Sequence, residues 1–197
     1  MHGDWLSADT ASDWADHLWQ LLAIVWIVMW LGMKKAKKRE GWAERAQHGL
    51  MLVLGFCLLF GGGSFRWGWL NYRLVPNTPP LWASGLLLTA IGVGISIWAR
   101  LSLGSNWSGM VTVKQDHVLI RHGLYRWIRH PIYTGLLLGM VGPAMIRGHL
   151  RGWIGVAIVL AGFYFKARRE ERFLREEFGA AFDEHSRHTG MFLPKFT

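Results

Sequence analysis

The 197-residue chain has a single cysteine, Cys57, and its first 33 residues contain no Lys or Arg, only four Asp. One cysteine excludes an intramolecular disulfide and a cysteine-based zinc site, and its position inside an apolar run assigns it a packing role. Several enzyme signatures are also missing. There is no HExxH pair, no GxGxxG turn, no Walker lysine loop and no GxSxG elbow. His117, His122 and His130 lack the i, i+4 spacing of a helical zinc pair, so no metal site is expected. Any nucleotide cofactor must therefore be held by an unusual fold. The apolar runs contain no carboxylate, which leaves a proton-coupled transport path without support.

What the chain does have is apolar bulk: 51% hydrophobic residues and 13 tryptophans. Apolar runs at 18–33, 49–65, 81–99, 132–146 and 152–165 come near the ~17–25 residues that cross a bilayer. The last two are the shortest. The reading is an all-α integral membrane protein with about five transmembrane helices, the last two forming a helical hairpin that leads into a cytoplasmic C-terminal helix. Residues 1–100 hold an N-terminal segment and three transmembrane helices. Residues 101–197 hold a cytoplasmic loop, the hairpin and the tail.

The net charge of +9 would suit nucleic acid, but its distribution argues for a membrane. Lys34, Lys35, Lys37, Lys38, Arg39 and Arg45 follow the first run, and the segments 101–131 and 166–197 are basic as well. The intervening loops carry only Arg66 and Arg73, then Arg147 and Arg151. Alternating basic loops place the N-terminus outside and the C-terminus in the cytoplasm, in a bacterial inner membrane. Basic loops also attract anionic lipid head groups. The acidic start lacks the basic n-region of a cleavable signal, so the first helix is expected to stay. No nucleic acid and no obligatory protein partner are expected.

Polar chemistry is concentrated at one end of the hairpin. HGLYRWIRHPIYTG at 122–135 brings Tyr125, Arg126, Arg129, His130 and Tyr133 to the start of the fourth run. KARREER at 166–172 follows the fifth. Pro131 suits the first position of helix four, with His130 as its cap. The orphan amides and partial positive charge of that helix end, with Arg126 and Arg129, favour an anion. Beyond the fifth run Lys166, Arg169, Glu170 and Phe173 recur every three or four residues, with Glu171 off that face by about 100°. Taken alone, KARREER also reads as a solvated membrane-surface helix, and His130 as a simple cap.

LGSNWSG at 103–109, DHVLIRHGLYRWIRHPIYTG at 116–135, EERFLREEFGAAFDEH at 170–185 and FLP at 192–194 together resemble the isoprenylcysteine carboxyl methyltransferase family and its bacterial relatives. Phospholipid N-methyltransferases and, more distantly, sterol reductases share the C-terminal architecture. The resemblance covers residues 100–197. It implies an S-adenosylmethionine-dependent methyltransferase whose cofactor lies in a cytoplasm-facing pocket and whose lipophilic small-molecule substrate enters from the bilayer. Carried over by the resemblance, Tyr125, Arg129, His130, Pro131, Tyr133, Gly135, Glu170 and Glu171 bind the cofactor. Lys166, Arg169 and Glu170 are the catalytic candidates: Lys166 or Arg169 orients a carboxylate acceptor, and for an amine a base such as Glu170 or His130 removes a proton. Two departures stand out: Leu124 replaces the proline of a GPY sequence, and Phe182 and His185 replace paired tyrosines. A phospholipid amine methyltransferase, a nicotinamide-dependent sterol-type reductase and a non-catalytic membrane protein remain as alternatives.

Overall fold

The computed structural model describes residues 7–30, 36–39, 41–61, 68–104, 112–114 and 119–195. Lys34, Lys35, Gly62, Gly63, Arg66, His117 and most of LGSNWSG lie outside them. Among the described residues, five long helices stand at the five apolar runs: α1 Ala8–Trp30, α2 Trp42–Phe60, α3 Pro79–Leu103, α4 Pro131–Arg147 and α5 Leu150–Phe178. A short α6, Ala180–His188, follows. The chain is not wholly helical. Among the described residues, β1 Ala36–Arg39 and β2 Thr112–Lys114 form one antiparallel pair, which joins the first basic loop to the longest polar interval.

Local sequence sets the helix ends. The Ser7 hydroxyl accepts from the Thr10 amide at the start of α1. Pro79 and Pro80 open α3 behind Thr78. Pro131 opens α4 with His130 at the cap position, as its spacing predicts. Gly148, at φ 69°, ends α4 in the left-handed region, and α5 starts two residues later. That tight reversal makes α4 and α5 antiparallel neighbours.

Among the described residues, α3 and α5 are long and apolar enough to cross a membrane, with mean hydropathies of 1.8 and 1.3 over their best windows. The fifth run, read as one of the weakest in the sequence, is therefore one of the two clearest spans. At 29 residues, α5 is about 43 Å long, whereas a bilayer's hydrocarbon core is ~30 Å. Its charged end beyond Phe165 thus continues past the apolar run as an uninterrupted helix.

The principal seam is between α3 and α4, a pairing that the reading of α4 and α5 as a hairpin did not include. Gly85, Thr89, Gly92 and Ser96 of α3 lie against Gly135, Gly139 and Gly142 of α4. A methyl group on Gly92 would stand 2.2 Å from the Gly139 amide nitrogen, so the backbones touch where only hydrogen fits. α2 packs in the same way on α5 through Gly55 and Gly155. Cys57 does not pack: it lies on the exposed face of α2.

Candidate functional site

Three elements converge where α4 begins. The turn Gly123–Arg126 carries Tyr125, the cap of α4 carries His130, and the projecting part of α5 carries Lys166, Glu170 and Glu171. His130 sits between two carboxylates, with Nδ1 3.3 Å from Glu170 Oε2 and Nε2 3.3 Å from Glu171 Oε1. It makes no side-chain cap hydrogen bond, so the simple-cap reading fails. Its ring stacks on Tyr133 at 5.4 Å and 4° and meets the Phe192 ring edge-on. Tyr133 donates its hydroxyl to Glu170 Oε1 at 2.7 Å and stacks on Phe163. Lys166 is buried, with Nζ 5.4 Å from the Tyr133 ring centroid.

Arg129 ties this network to the C-terminus. Its Nε donates to Glu171 Oε1 at 2.7 Å, and Nη1 donates to the carbonyls of Ser186 and Thr189. The tail runs alongside. The amides of Arg129 and His130 donate to the carbonyls of Gly190 and Met191, and the Thr134 hydroxyl donates to the Phe192 carbonyl. Residues 189–192 thus strap the entrance of α4. Thr189 and Ser186 had no signal in the sequence beyond the nearby FLP, because backbone carbonyls recruit an arginine regardless of side chain.

The electrostatics of the network are mutual. Burial pushes His130 toward neutrality, but the hydrogen bonds and charges of Glu170 and Glu171 prevail and raise its pKa. Burial pushes both carboxyls up, and His130 reverses that in each, helped by Lys166 at Glu170 and Arg129 at Glu171, so both pKa values are lowered. Arg129, His130, Lys166 and two carboxylates are thereby packed at one helix N-terminus. Burial, reinforced by Glu170, raises the Tyr125 hydroxyl well above its ordinary value. Burial, followed by Arg121 and Arg129, lowers His185.

Not every expected residue joins. Arg169 turns to α2 instead, donating to the Glu44 carbonyl and Gln47 Oε1 on the exposed side. Helical geometry gives the reason: with about 100° per residue, the face centred on Phe163, Ala167 and Leu174 takes in both Glu170 and Glu171 and leaves Arg169 about 140° away. Glu171, read as off the face, is at the heart of the network. Gly135 lies in the α3 seam, where an added Cβ would meet Ser96 Oγ at 2.4 Å. Pro131 is buried as the first residue of α4. Tyr125 and Arg129 line a small cavity of about 80 Å³ with Leu103, Ile120, Phe182 and His185. Phe182 and His185 thus border the network without a hydroxyl.

A family model described as phospholipid methyltransferase matches residues 81–181. A probable protein-S-isoprenylcysteine O-methyltransferase of Oryza sativa subsp. indica is 32% identical over 54% of this chain and 59% of its own length. The protein-S-isoprenylcysteine O-methyltransferase of Dictyostelium discoideum is 24% identical over 90% of this chain and 72% of its own. The cobalt-zinc-cadmium resistance protein CzcN of Cupriavidus metallidurans is 31% identical over 59% of this chain and 53% of its own. A solved structure of the eukaryotic intramembrane Ras methyltransferase isoprenylcysteine carboxyl methyltransferase, without a monobody, superposes with a TM-score of 0.51 at 27% identity. That match covers 76% of this chain and 52% of the solved one. The chain spans little more than half the length of the rice relative and of the solved structure.

Proposed function

Because the chain belongs to the phospholipid methyltransferase family, we propose that it is an integral membrane S-adenosylmethionine-dependent methyltransferase acting on a lipophilic acceptor. The reference substrate class is the carboxylate of an isoprenylcysteine-like compound. The observation that carries this reading is the placement of His130 between Glu170 and Glu171, where the N-terminus of α4 meets the projecting end of α5. The donor set fits the cofactor, since closely spaced cations and carboxylates match an amino-acid zwitterion with ribose hydroxyls. When bound, S-adenosylmethionine supplies an electrophilic methyl group. Arg129 and the α4 amides favour its carboxylate, Glu170 and Glu171 accept from its ammonium or hydroxyls, and Tyr133 fixes the Glu170 carboxylate.

On the acceptor side, Lys166 orients a carboxylate, which is already ionised at neutral pH and needs no base. A phospholipid amine is the second reading, favoured by the description of the matching family model. Amine transfer calls for a base to remove a proton. Glu170, held ionised by His130 and Lys166, is a weak one. Carboxyl transfer is therefore the better match to the cluster. The reading places the network on the cytoplasmic side of a bacterial inner membrane, with the N-terminus outside.

Titration of the purified protein in detergent with S-adenosylhomocysteine tests this. Wild type is expected to bind, and His130→Ala and Glu170→Ala to weaken binding by about tenfold or more, as for loss of a charged hydrogen bond. A folded wild type that does not bind refutes the methyltransferase reading. Unchanged binding in both variants refutes the site. A base-labile methyl ester among the products marks carboxyl transfer, and a base-stable methylated head group marks amine transfer.

A further inference from the structure

One titratable ring, that of His185, stands beside the His130 network without joining it. It belongs to α6, the helix that leads into the strap, and α6 is held on both sides of it. Before it, Phe182 is buried and lines the cavity with Leu103, Ile120 and Leu174, and Arg121 donates to the Ala181 carbonyl at 2.5 Å. After it, Arg129 donates to the carbonyls of Ser186 and Thr189, and the Thr189 hydroxyl donates to the His185 carbonyl at 2.7 Å. Since Arg129 also holds Glu171, one guanidinium joins the network to the segment that His185 opens.

The surroundings of the ring are one-sided in charge. His185 is half-buried and lines the cavity of about 80 Å³ together with Tyr125 and Arg129. Burial, Arg121 and Arg129 all disfavour its protonated form. The acids nearby are engaged elsewhere. On α6 itself Asp183 pairs with Arg175, and Glu184 with Arg187 and His188. On α5 Glu171 takes Arg129 and His130, while Glu176 and Glu177 are exposed. The turn before α4 contributes the Tyr125 hydroxyl, which burial keeps protonated, and α3 contributes Leu103. His122 and Arg126, on either side of Tyr125, are exposed. A proton on His185 thus adds a third cation where two guanidiniums already act, in a joint screened less than bulk water.

We propose that His185 is a positioning residue for the His130 network: its neutral ring lets α6 and the strap dock on Arg129, and its protonation releases them. The proton binds the released segment more readily than the docked one, so docking is complete above about pH 6.5 and weakens as pH falls below it. The network responds in the opposite sense. Between about pH 4.5 and 6.5 His130 stays mostly protonated and Glu170 and Glu171 ionised, and a further rise in pH weakens their mutual attraction. The proposal rests on the methyltransferase reading only for what the network binds.

Hydrogen exchange of the full-length protein in detergent, without ligand, tests this. Protection factors remove the pH dependence of intrinsic exchange, and the amides of Arg129, His130 and Gly190 report directly, because each is bonded across the strap. In wild type their protection is expected to fall about threefold from about pH 6.5 to about pH 5, the size of a partly screened like-charge contact. Amides in the middle of α4 are expected to show no such change. His185→Tyr and His185→Gln do not titrate in this range and are expected to keep the same protection at both pH values. Equal protection of wild type at the two pH values overturns the proposal, and so does a loss that persists in both variants. If only one variant is as protected as wild type at about pH 6.5, that one decides; if neither is, the ring is a structural prop and the proposal falls. S-adenosylhomocysteine plays no part in the measurement, so its failure to bind refutes the methyltransferase reading and leaves the strap result standing.

Discussion

The two carboxylates beside His130 raise its pKa, and that fixes how the protein responds to pH. Its raised pKa means that its contribution to stability is complete below about 6.5 and is lost as pH rises through the higher folded value. The lowered values of Glu170 and Glu171 mean that theirs is complete above about 4.5 and is lost as pH falls through the lower folded values. Thermal unfolding in detergent is therefore expected to show a plateau between these limits with a fall on either side. In His130→Gln the alkaline fall attributable to the network disappears. If that variant and wild type share the same alkaline limb, the ion cluster is not its source. Glu171→Gln removes the carboxylate from Arg129 and His130 together, and an expected loss of about 2 kcal/mol is measurable in the same way. Arg169→Ala, facing Glu44 and Gln47, is expected to change S-adenosylhomocysteine affinity by less than about twofold, within the small range of surface substitutions.

At the scale of helices, the α3 and α4 seam holds the architecture together, and two glycines two residues apart separate packing from propensity. Gly92→Ala drives a methyl into the Gly139 backbone and is expected to cost about 1–3 kcal/mol. Gly94→Ala meets nothing within 4 Å and is expected to gain about 0.5–1 kcal/mol from helix propensity. Thermal midpoints of the two variants check both signs. The sequence announced each helix, through apolar runs and through prolines at 79 and 131, because those signals are local. It did not announce that α4 leans chiefly on α3, since glycine spacing fits several partners equally. The same limit explains Arg169 and Glu171: the α5 face was drawn through Lys166, whereas packing on His130 turned it toward Glu171. The short pairing of β1 with β2 was also hidden, because nothing in lysine-rich AKKR marks a partner more than 70 residues away.

At the scale of the whole molecule, the C-terminus completes the site. Removing residues 189–197 takes away the carbonyls that receive Arg129, His130 and Thr134 and uncovers the His130 ring. The truncated chain is expected to lose S-adenosylhomocysteine binding while its far-UV circular dichroism falls little, since no described helix is cut. Retained binding refutes the strap. The unbroken α5 has a different consequence. One rigid rod carries both the greasy half that anchors in lipid and the charged half that holds His130, with no hinge to adjust the height of one against the other. With the proposed membrane placement and site, the His130 network is moored at a set depth, and turnover in bilayers of graded thickness is expected to change as the lipid boundary reaches it.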